Sequence, residues 1–172
     1  LYGQNSRVLT QHELEEKLAN GQFNAKTVGM IQCVGARNKE NPNCARICCG
    51  QAVKNALKIK ETSPETDVYV LFKDMRTYGF KEAHYREAST KGVLFTNYDD
   101  ERKPRVVNDK GKLKITFWEP VLKEEVTMEP DLVVVSAATI PNIDNKHVGE
   151  MLKVPLSKDG FFLEAHMKLR PV

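Results

Sequence analysis

The chain has 172 residues but only four cysteines, and none of them lies outside residues 33–49. It has no apolar run of about 20 residues, the length that spans a bilayer, so we predict no membrane insertion. Its first residues are polar and unlike a signal peptide, which favours a cytoplasmic location. The net charge is only +3 and no basic, aromatic-rich stretch occurs, so we expect no nucleic-acid partner.

The residues that are present have the composition of an ordinary globular domain, with 41% hydrophobic and 28% charged residues. An apolar run at residues 26–34 predicts a buried strand, and an apolar stripe at helical spacing predicts a helix over residues 45–60. A second apolar run at residues 67–72 predicts a parallel strand. Strand, helix and strand in this order form a right-handed βαβ unit, which indicates an α/β fold.

Three further features extend this α/β pattern. Thr10 and Glu13 have capping-box spacing, which predicts a helix that ends near Ala19. A helix over residues 81–91 and a strand over residues 93–98 follow the βαβ unit. The sequence predicts a three-stranded meander with strands at residues 105–108, 112–118 and 121–128, and the apolar run 131–136 predicts a strand that returns to the central sheet.

The four cysteines allow several interpretations. Disulfides need an oxidising compartment, and a bond between the adjacent Cys48 and Cys49 would be strained. Buried thiols without a ligand are common, although four within residues 33–49 are a dense group. For zinc, Cys44 and Cys48 have the spacing of one knuckle, but Cys33 has no partner at that spacing. An iron–sulfur cluster is larger than one ion and tolerates more widely spread thiolates.

The predicted helix start suits an anionic group. If the helix begins at residue 45, Cys44 and Cys48 lie one turn apart and Cys49 points about 100° further round. Unpaired backbone N–H groups at a helix start attract anions, so a thiolate-bound metal would be favoured there. Arg37 and Arg46 flank the cysteines and either offset this negative charge or are solvated surface residues.

A dinucleotide site is poorly supported at the same place. The strand-to-helix turn of such sites carries G-x-G-x-x-G, and only the middle glycine, Gly35, is present here. Asp74 follows the second strand, where an acid could bind a ribose, but an acid after a strand is common. A vestigial NAD(P)-binding half-domain therefore stands as an alternative.

The sequences MIQCVGARN, CARICCGQAVKNALKIKE and DVYVLFKDMRTYGF together resemble the A subunit of heterodisulfide reductase, an iron–sulfur flavoprotein. The resemblance covers nearly the whole chain. It implies that Cys33, Cys44, Cys48 and Cys49 bind a [4Fe-4S] cluster, and that the fold is a Rossmann-like three-layer domain with a central parallel sheet and a meander crossover, like the pyridine-nucleotide domain of thioredoxin reductase.

The resemblance also implies the organisation of the chain. We expect a helical lead-in at residues 1–24, the Rossmann-like domain at 25–137, and a return segment toward an absent FAD domain at 138–172. The implied function is electron transfer between the cluster and FAD within a full-length oxidoreductase, together with other heterodisulfide-reductase-like subunits. FAD would bind only in the full-length protein, and this fragment is expected to be inactive alone. A structural zinc-binding docking module is the other alternative.

Overall fold

The computed structural model describes residues 1–164 and divides the chain into two compact units, of which the first is Leu1–Ala138 and the second begins at Thr139. Eleven of the twelve helices and strands in the described range belong to the first unit. In chain order the elements are β1 (Val8–Thr10), α1 (Gln11–Ala19), β2 (Thr27–Val34), α2 (Cys48–Thr62), β3 (Asp67–Phe72), α3 (Lys81–Thr90), β4 (Leu94–Asn97), β5 (Arg105–Asp109), β6 (Lys112–Glu119), β7 (Glu124–Met128), β8 (Leu132–Ala137) and α4 (Asn145–Leu152).

The central sheet contains five parallel strands in the order β1-β8-β2-β3-β4, which confirms the predicted α/β class. β2 lies in the middle, where Val28 pairs with Val68 of β3 on one side and with Leu132 of β8 on the other. β2 and β8 are apolar on both faces because each face is covered, as expected for parallel strands.

Two separate hydrophobic cores cover the two faces of this sheet. Helices α1, α2 and α3 pack on one face around Met30, Val53 and Ile59. The antiparallel meander β5-β6-β7 packs on the other face around Leu71 and Ile115. The result is the three-layer arrangement of helices, sheet and meander that the sequence predicted.

Gly29 explains how closely the meander approaches the central strand. A Cβ atom at this position would lie 2.4 Å from Cδ1 of Ile115 and 2.5 Å from Cε of Met128. Non-bonded carbon atoms do not approach this closely, so a side chain at this position would have to displace the ends of the Ile115 and Met128 side chains.

The amino-terminal segment contributes both a helix and a strand to the first unit. The predicted capping box is confirmed: the Thr10 hydroxyl accepts from the backbone N–H of Glu13, and the Glu13 carboxylate accepts from the backbone N–H of Thr10. The sequence did not predict β1, whose three residues pair in parallel with β8 at the edge of the sheet. Such a short strand has no periodicity of its own to read.

The start of α2 differs from the prediction. The helix begins at Cys48, three residues later than predicted, so Cys44 precedes it in a loop. Arg46 has φ 61°, a left-handed conformation that interrupts a helix, and Ile47 at the N-cap offers no side-chain hydrogen bond. The apolar spacing that predicted the helix does not show at which residue the helix begins.

The last meander strand also starts later than predicted. A turn follows β6. The Glu119 carboxylate stabilises this turn by accepting hydrogen bonds from the backbone N–H groups of Val121 and Leu122 at 2.6 and 2.7 Å. Lys123 completes the turn with φ 58°, so β7 begins only at Glu124.

The second unit contains α4 and an isolated antiparallel bridge between Leu156 and Phe162. It contains the beginning of the predicted return segment, while the part of that segment after Glu164 lies outside the described residues. Within residues 1–164, no helix combines the length and apolar character needed to cross a membrane.

Candidate metal centre

The four cysteines lie at the edge of the sheet where all five parallel strands have their carboxyl ends, the edge at which α/β proteins bind ligands. Cys33 is the second-last residue of β2 and has φ 60°, an uncommon value for a residue other than glycine. Its carbonyl accepts from the N–H of Ala36 at 3.1 Å, which turns the chain away from the strand.

The other three cysteines approach from the far end of the loop. Cys44 belongs to the loop itself, and Cys48 and Cys49 are the first two residues of α2. Cys33, Cys44 and Cys48 are partly exposed, whereas Cys49 is buried with only 6% of its surface accessible. All four are free thiols, so the disulfide alternative is not realised in this structure.

The thiols lie close enough to influence one another electrostatically. Burial raises the pKa of Cys48, and the negative charges of Cys44 and Cys33 raise it further. Burial likewise raises the pKa of Cys49, which Cys48, Cys33 and Cys44 raise in addition. Yet within residues 1–164 no three His, Cys, Asp or Glu side chains are close enough together to hold one metal ion.

Arg37 lies in the turn after Cys33 and pairs with an acidic residue that follows β3. Its Nη2 pairs with the carboxylate of Asp74 at the end of β3, and only 17% of its side chain is exposed. Burial lowers the pKa of Arg37, but Asp74 and the Cys33 thiol outweigh this effect and the pKa is raised. The guanidinium therefore lies within reach of both groups, and the ribose-binding role considered for Asp74 would compete with this ion pair.

A lysine after β3 and a tyrosine after β4 hold the backbone on either side of Cys33. The Nζ of Lys73 donates to the carbonyl of Arg37 at 2.8 Å and to Oδ1 of Asp100 at 2.7 Å. The hydroxyl of Tyr98 donates to the carbonyl of Gln32, the residue before Cys33. Burial raises the pKa of Tyr98, and the nearby Cys33 raises it further, so this hydroxyl acts as a neutral donor.

Buried polar side chains without a partner form the feature that sequence reasoning missed. Among the described residues, the side-chain atoms of this kind are Nε2 and Oε1 of Gln32, Nη1 of Arg37 and Oγ of Ser136. All lie at the carboxyl ends of β2 and β8 or in the turn that follows β2. The available signal was a polar residue inside each of two apolar strands, TVGMIQCV and LVVVSA.

The fold has neighbours among solved structures. The chain aligns over 96% of its length with thioredoxin reductase of T. acidophilum, with a TM-score of 0.51 and 16% identity, and it covers 45% of that chain. At this identity the likeness establishes the fold alone. A comparison with protein-family models finds no match.

Sequence comparison finds relatives of higher identity. The chain is 35% identical to the A subunit of ferredoxin:CoB-CoM heterodisulfide reductase from Methanosarcina acetivorans over 90% of its length. It is 36% identical to the A-type iron–sulfur subunit of CoB–CoM heterodisulfide reductase from Methanocaldococcus jannaschii over 99% of its length. Over the segment it spans, the chain is therefore a relative of the heterodisulfide reductase A subunits, as the resemblance indicated. It covers 19% and 28% of the length of these two relatives.

Proposed function

We propose that this chain is the cluster-bearing electron-transfer segment of a heterodisulfide-reductase-A-like flavoprotein. In this proposal Cys33, Cys44, Cys48 and Cys49 hold a [4Fe-4S] cluster that relays electrons to or from FAD in the full-length protein. The observation that carries it is the gathering of four free thiols at the carboxyl edge of the sheet, beside buried polar atoms that lack partners. One of the relatives is named an iron–sulfur subunit, which agrees with it.

The residues at this edge fit a thiolate-bound cluster. Such a cluster is an anion, and Arg37 presents a buried Nη1 donor that no described residue satisfies. Cys48 and Cys49 stand at the start of α2, where backbone N–H groups are not used by the helix. No acidic residue occurs in the first turn of α2, so nothing on the helix itself opposes a negative group.

The chain's own residues divide the work at this site. The thiolates bind, and because burial raises the pKa of Cys48 and Cys49, binding displaces protons from these two thiols. Arg37 neutralises charge, while Lys73 and Tyr98 hold the backbone on either side of Cys33. The bound cluster would supply one-electron transfer.

A single zinc ion suits this arrangement less well than a cluster. Within residues 1–164 the cysteines are spread too widely to form one tetrahedral group, although they still influence one another's pKa. A cluster with four irons spans a larger space and can bind thiolates from a strand end, a loop and a helix start together. A single zinc ion would therefore need the thiols closer together than this structure holds them.

Flavin and partner subunits enter the proposal through the relatives. The fold is that of thioredoxin reductase, and the relatives are subunits of heterodisulfide reductases. We propose that the chain works beside FAD held elsewhere in the full-length protein, and that other subunits of a heterodisulfide-reductase-like complex exchange electrons with it.

Metal analysis of the full-length protein tests the proposal. The protein is purified and reconstituted without oxygen, and iron, acid-labile sulfide and zinc are counted in the wild type and in a Cys33→Ser variant. We expect about four irons and four sulfides more in the wild type than in the variant, with broad visible absorbance. Stoichiometric zinc with no cysteine-dependent iron would refute the cluster and favour the zinc module.

A further inference from the structure

Arg37 occupies an unusual position for an arginine. It stands in the turn after β2 with φ 56°, and only 17% of its side chain is exposed to solvent. Arginine is seldom buried without partners for its five N–H groups. Nη2 has such a partner in Asp74, whereas Nη1 is buried and makes no hydrogen bond of good geometry among residues 1–164, although the Cys33 thiol lies close enough to raise the pKa of the guanidinium.

The end of β3 holds Arg37 at two points. Lys73 donates from Nζ to the backbone carbonyl of Arg37 at 2.8 Å, and Asp74 pairs with its guanidinium. Lys73 is itself fixed by Asp100 at 2.7 Å, and only 9% of its side chain is exposed. Backbone and side chain are therefore both restrained, so the direction of the unsatisfied Nη1 is determined by the fold.

The group that Nη1 lacks must be an acceptor, because a guanidinium is only a donor. Asp74 is engaged by the neighbouring nitrogen, and Cys33 lies at the start of the same turn. Leaving a charged donor buried without a partner is costly, whereas a hydrogen bond from it to an anion is strong. This geometry suits an anionic group that occupies the cysteine site.

We propose that Arg37 is the residue that would donate a hydrogen bond from Nη1 to a cluster held at the cysteine site, and that Lys73 and Asp74 are positioning residues that hold Arg37 in place. The inference rests on the proposed cluster-binding function. The reduced cluster carries one more negative charge than the oxidised one, so a cationic donor stabilises the reduced state more. Arg37 therefore raises the reduction potential.

Two arginine substitutions separate placement from charge. The full-length protein is reconstituted without oxygen, and the cluster potential is measured by redox titration with electron paramagnetic resonance, the signal being assigned by its loss in Cys33→Ser. We expect Arg37→Met to lower the equilibrium constant for reduction about tenfold, which is about 59 mV for one electron. Arg46→Met removes the same charge from an exposed residue in the same loop, and we expect a change below about twofold because water screens it.

Each outcome decides the inference. An Arg37→Met potential within about twofold of the wild type overturns it and leaves the cluster proposal standing, and so do equal shifts in both arginine variants. A folded Arg37→Met protein that binds no cluster, beside a cluster-bearing Arg46→Met, supports it. A wild type without cysteine-dependent iron overturns the proposed function and the inference together.

Thermal stability gives a second readout. Because Nη1 has no partner without the cluster, we expect Arg37→Met to lower the melting midpoint of the cluster-bound protein clearly more than that of the cluster-free protein. Equal losses would mean that Arg37 serves only its ion pair with Asp74, which overturns the inference.

The role of Lys73 is tested by a double-mutant cycle. We expect Lys73→Met to lower the potential in the same direction as Arg37→Met, and the double variant to be no lower than Arg37→Met alone, since Lys73 acts through Arg37. Additive shifts would overturn the positioning role of Lys73.

Discussion

The two edges of the central sheet differ in whether their polar side chains have hydrogen-bond partners. At the edge where the strands begin, the carboxylate of Asp131 accepts from the backbone N–H groups of Lys26 and Thr27 at 2.7 and 3.0 Å. The hydroxyl of Thr66 donates to the carbonyl of Ala25 at 2.8 Å. Each of these side chains completes hydrogen bonds of strand ends, so this edge is closed by the chain itself.

The edge where the strands end is open in the sense that several of its buried polar atoms have no hydrogen-bond partner among the described residues. The buried side chains of Gln32, Arg37 and Ser136 all have polar atoms without a partner among residues 1–164. Cys33 and Arg46 adopt left-handed backbone conformations, and four thiols stand unpaired. Unsatisfied buried groups and strained residues reduce stability and concentrate at functional sites. The difference indicates that the carboxyl edge is shaped for something it binds.

The largest expected effect comes from removing a proposed ligand that lies outside the helices and strands. Cys44 is in the loop before α2 and is partly exposed. We expect Cys44→Ser to abolish or convert the cluster while the unfolding free energy of the cluster-free protein changes by less than about 0.5 kcal/mol. Iron counting and denaturant titration measure the two effects. Asn43→Ser in the same loop is the control and should keep its iron.

Cys49 tests whether a buried thiol at the open edge is a ligand or only part of the core. It is 6% exposed, and its thiol lies 3.8 Å from the carbonyl of Asp74. Cys49→Ala should cost about 1–2 kcal/mol in either case, because a buried group is removed. Iron content separates the two roles, and we expect it to fall. Val53→Ala one turn later is the packing control; a full cluster in Cys49→Ala would exclude Cys49 as a ligand.

Gln32 tests whether an unpartnered polar side chain at the carboxyl edge lowers the stability of the fold. The residue is fully buried, and neither end of its amide has a partner in the described structure. We expect Gln32→Met, which keeps the shape and removes the polar atoms, to raise the unfolding free energy of the cluster-free protein by about 1–2 kcal/mol. Chemical denaturation measures this gain.

The contrasting variant for Gln32 is Asn55→Leu. Asn55 is equally buried, but its amide donates to the backbone and side-chain oxygens of Gln11 at 3.0 Å. That substitution should reduce stability, and a loss in both variants would contradict the distinction between satisfied and unsatisfied buried amides.

At the edge where the strands begin, removing a polar side chain should lower the unfolding free energy and leave the iron content unchanged. Asp131→Ala removes the acceptor of two backbone N–H groups, and we expect a loss of about 1 kcal/mol because the site is exposed and water replaces part of the bonding. Asp131→Asn keeps one acceptor oxygen and should lose less. Denaturant titration and iron counting measure both; loss of iron in Asp131→Ala would show that the two edges are not independent.

The smallest expected effect lies at the start of α1. The capping box there is at the carboxyl edge of the sheet, but its polar groups are hydrogen-bonded. Hydrogen bonds from the backbone and hydroxyl of Thr10 lower the pKa of Glu13. A lowered pKa stabilises the fold above the unfolded-state value of about 4.3, and this contribution is lost as the pH falls through the folded-state value. Glu13 is solvent-accessible, so we expect less than about 0.5 kcal/mol.

Unfolding free energies measured between pH 6 and about pH 3 test the Glu13 contribution. Glu13→Gln keeps the capping geometry without the titrating group, so its stability should depend less on pH than that of the wild type. An identical pH dependence in both proteins would rule out this contribution.

The order of the helices and strands other than the short β1 follows from local patterns, because each element arises from residues that are neighbours along the chain. The apolar run before Cys33, the helical stripe after Cys48 and the capping box at Thr10 are local patterns, and the structure confirms all three. The relationship to the A subunits of heterodisulfide reductases was likewise readable from contiguous residues around the cysteines.

The surroundings of those cysteines depend on contacts between residues that are far apart along the chain. Arg37 meets Asp74 across 37 positions, and Tyr98 meets the carbonyl of Gln32 across 66, and no local period encodes either contact. The start of α2 was mispredicted because apolar spacing does not report a left-handed residue such as Arg46. Which buried polar groups find partners depends on which strand ends the fold brings together. Local sequence patterns could therefore predict which elements carry the thiols. The hydrogen-bond donors near those thiols could be found only from the folded structure.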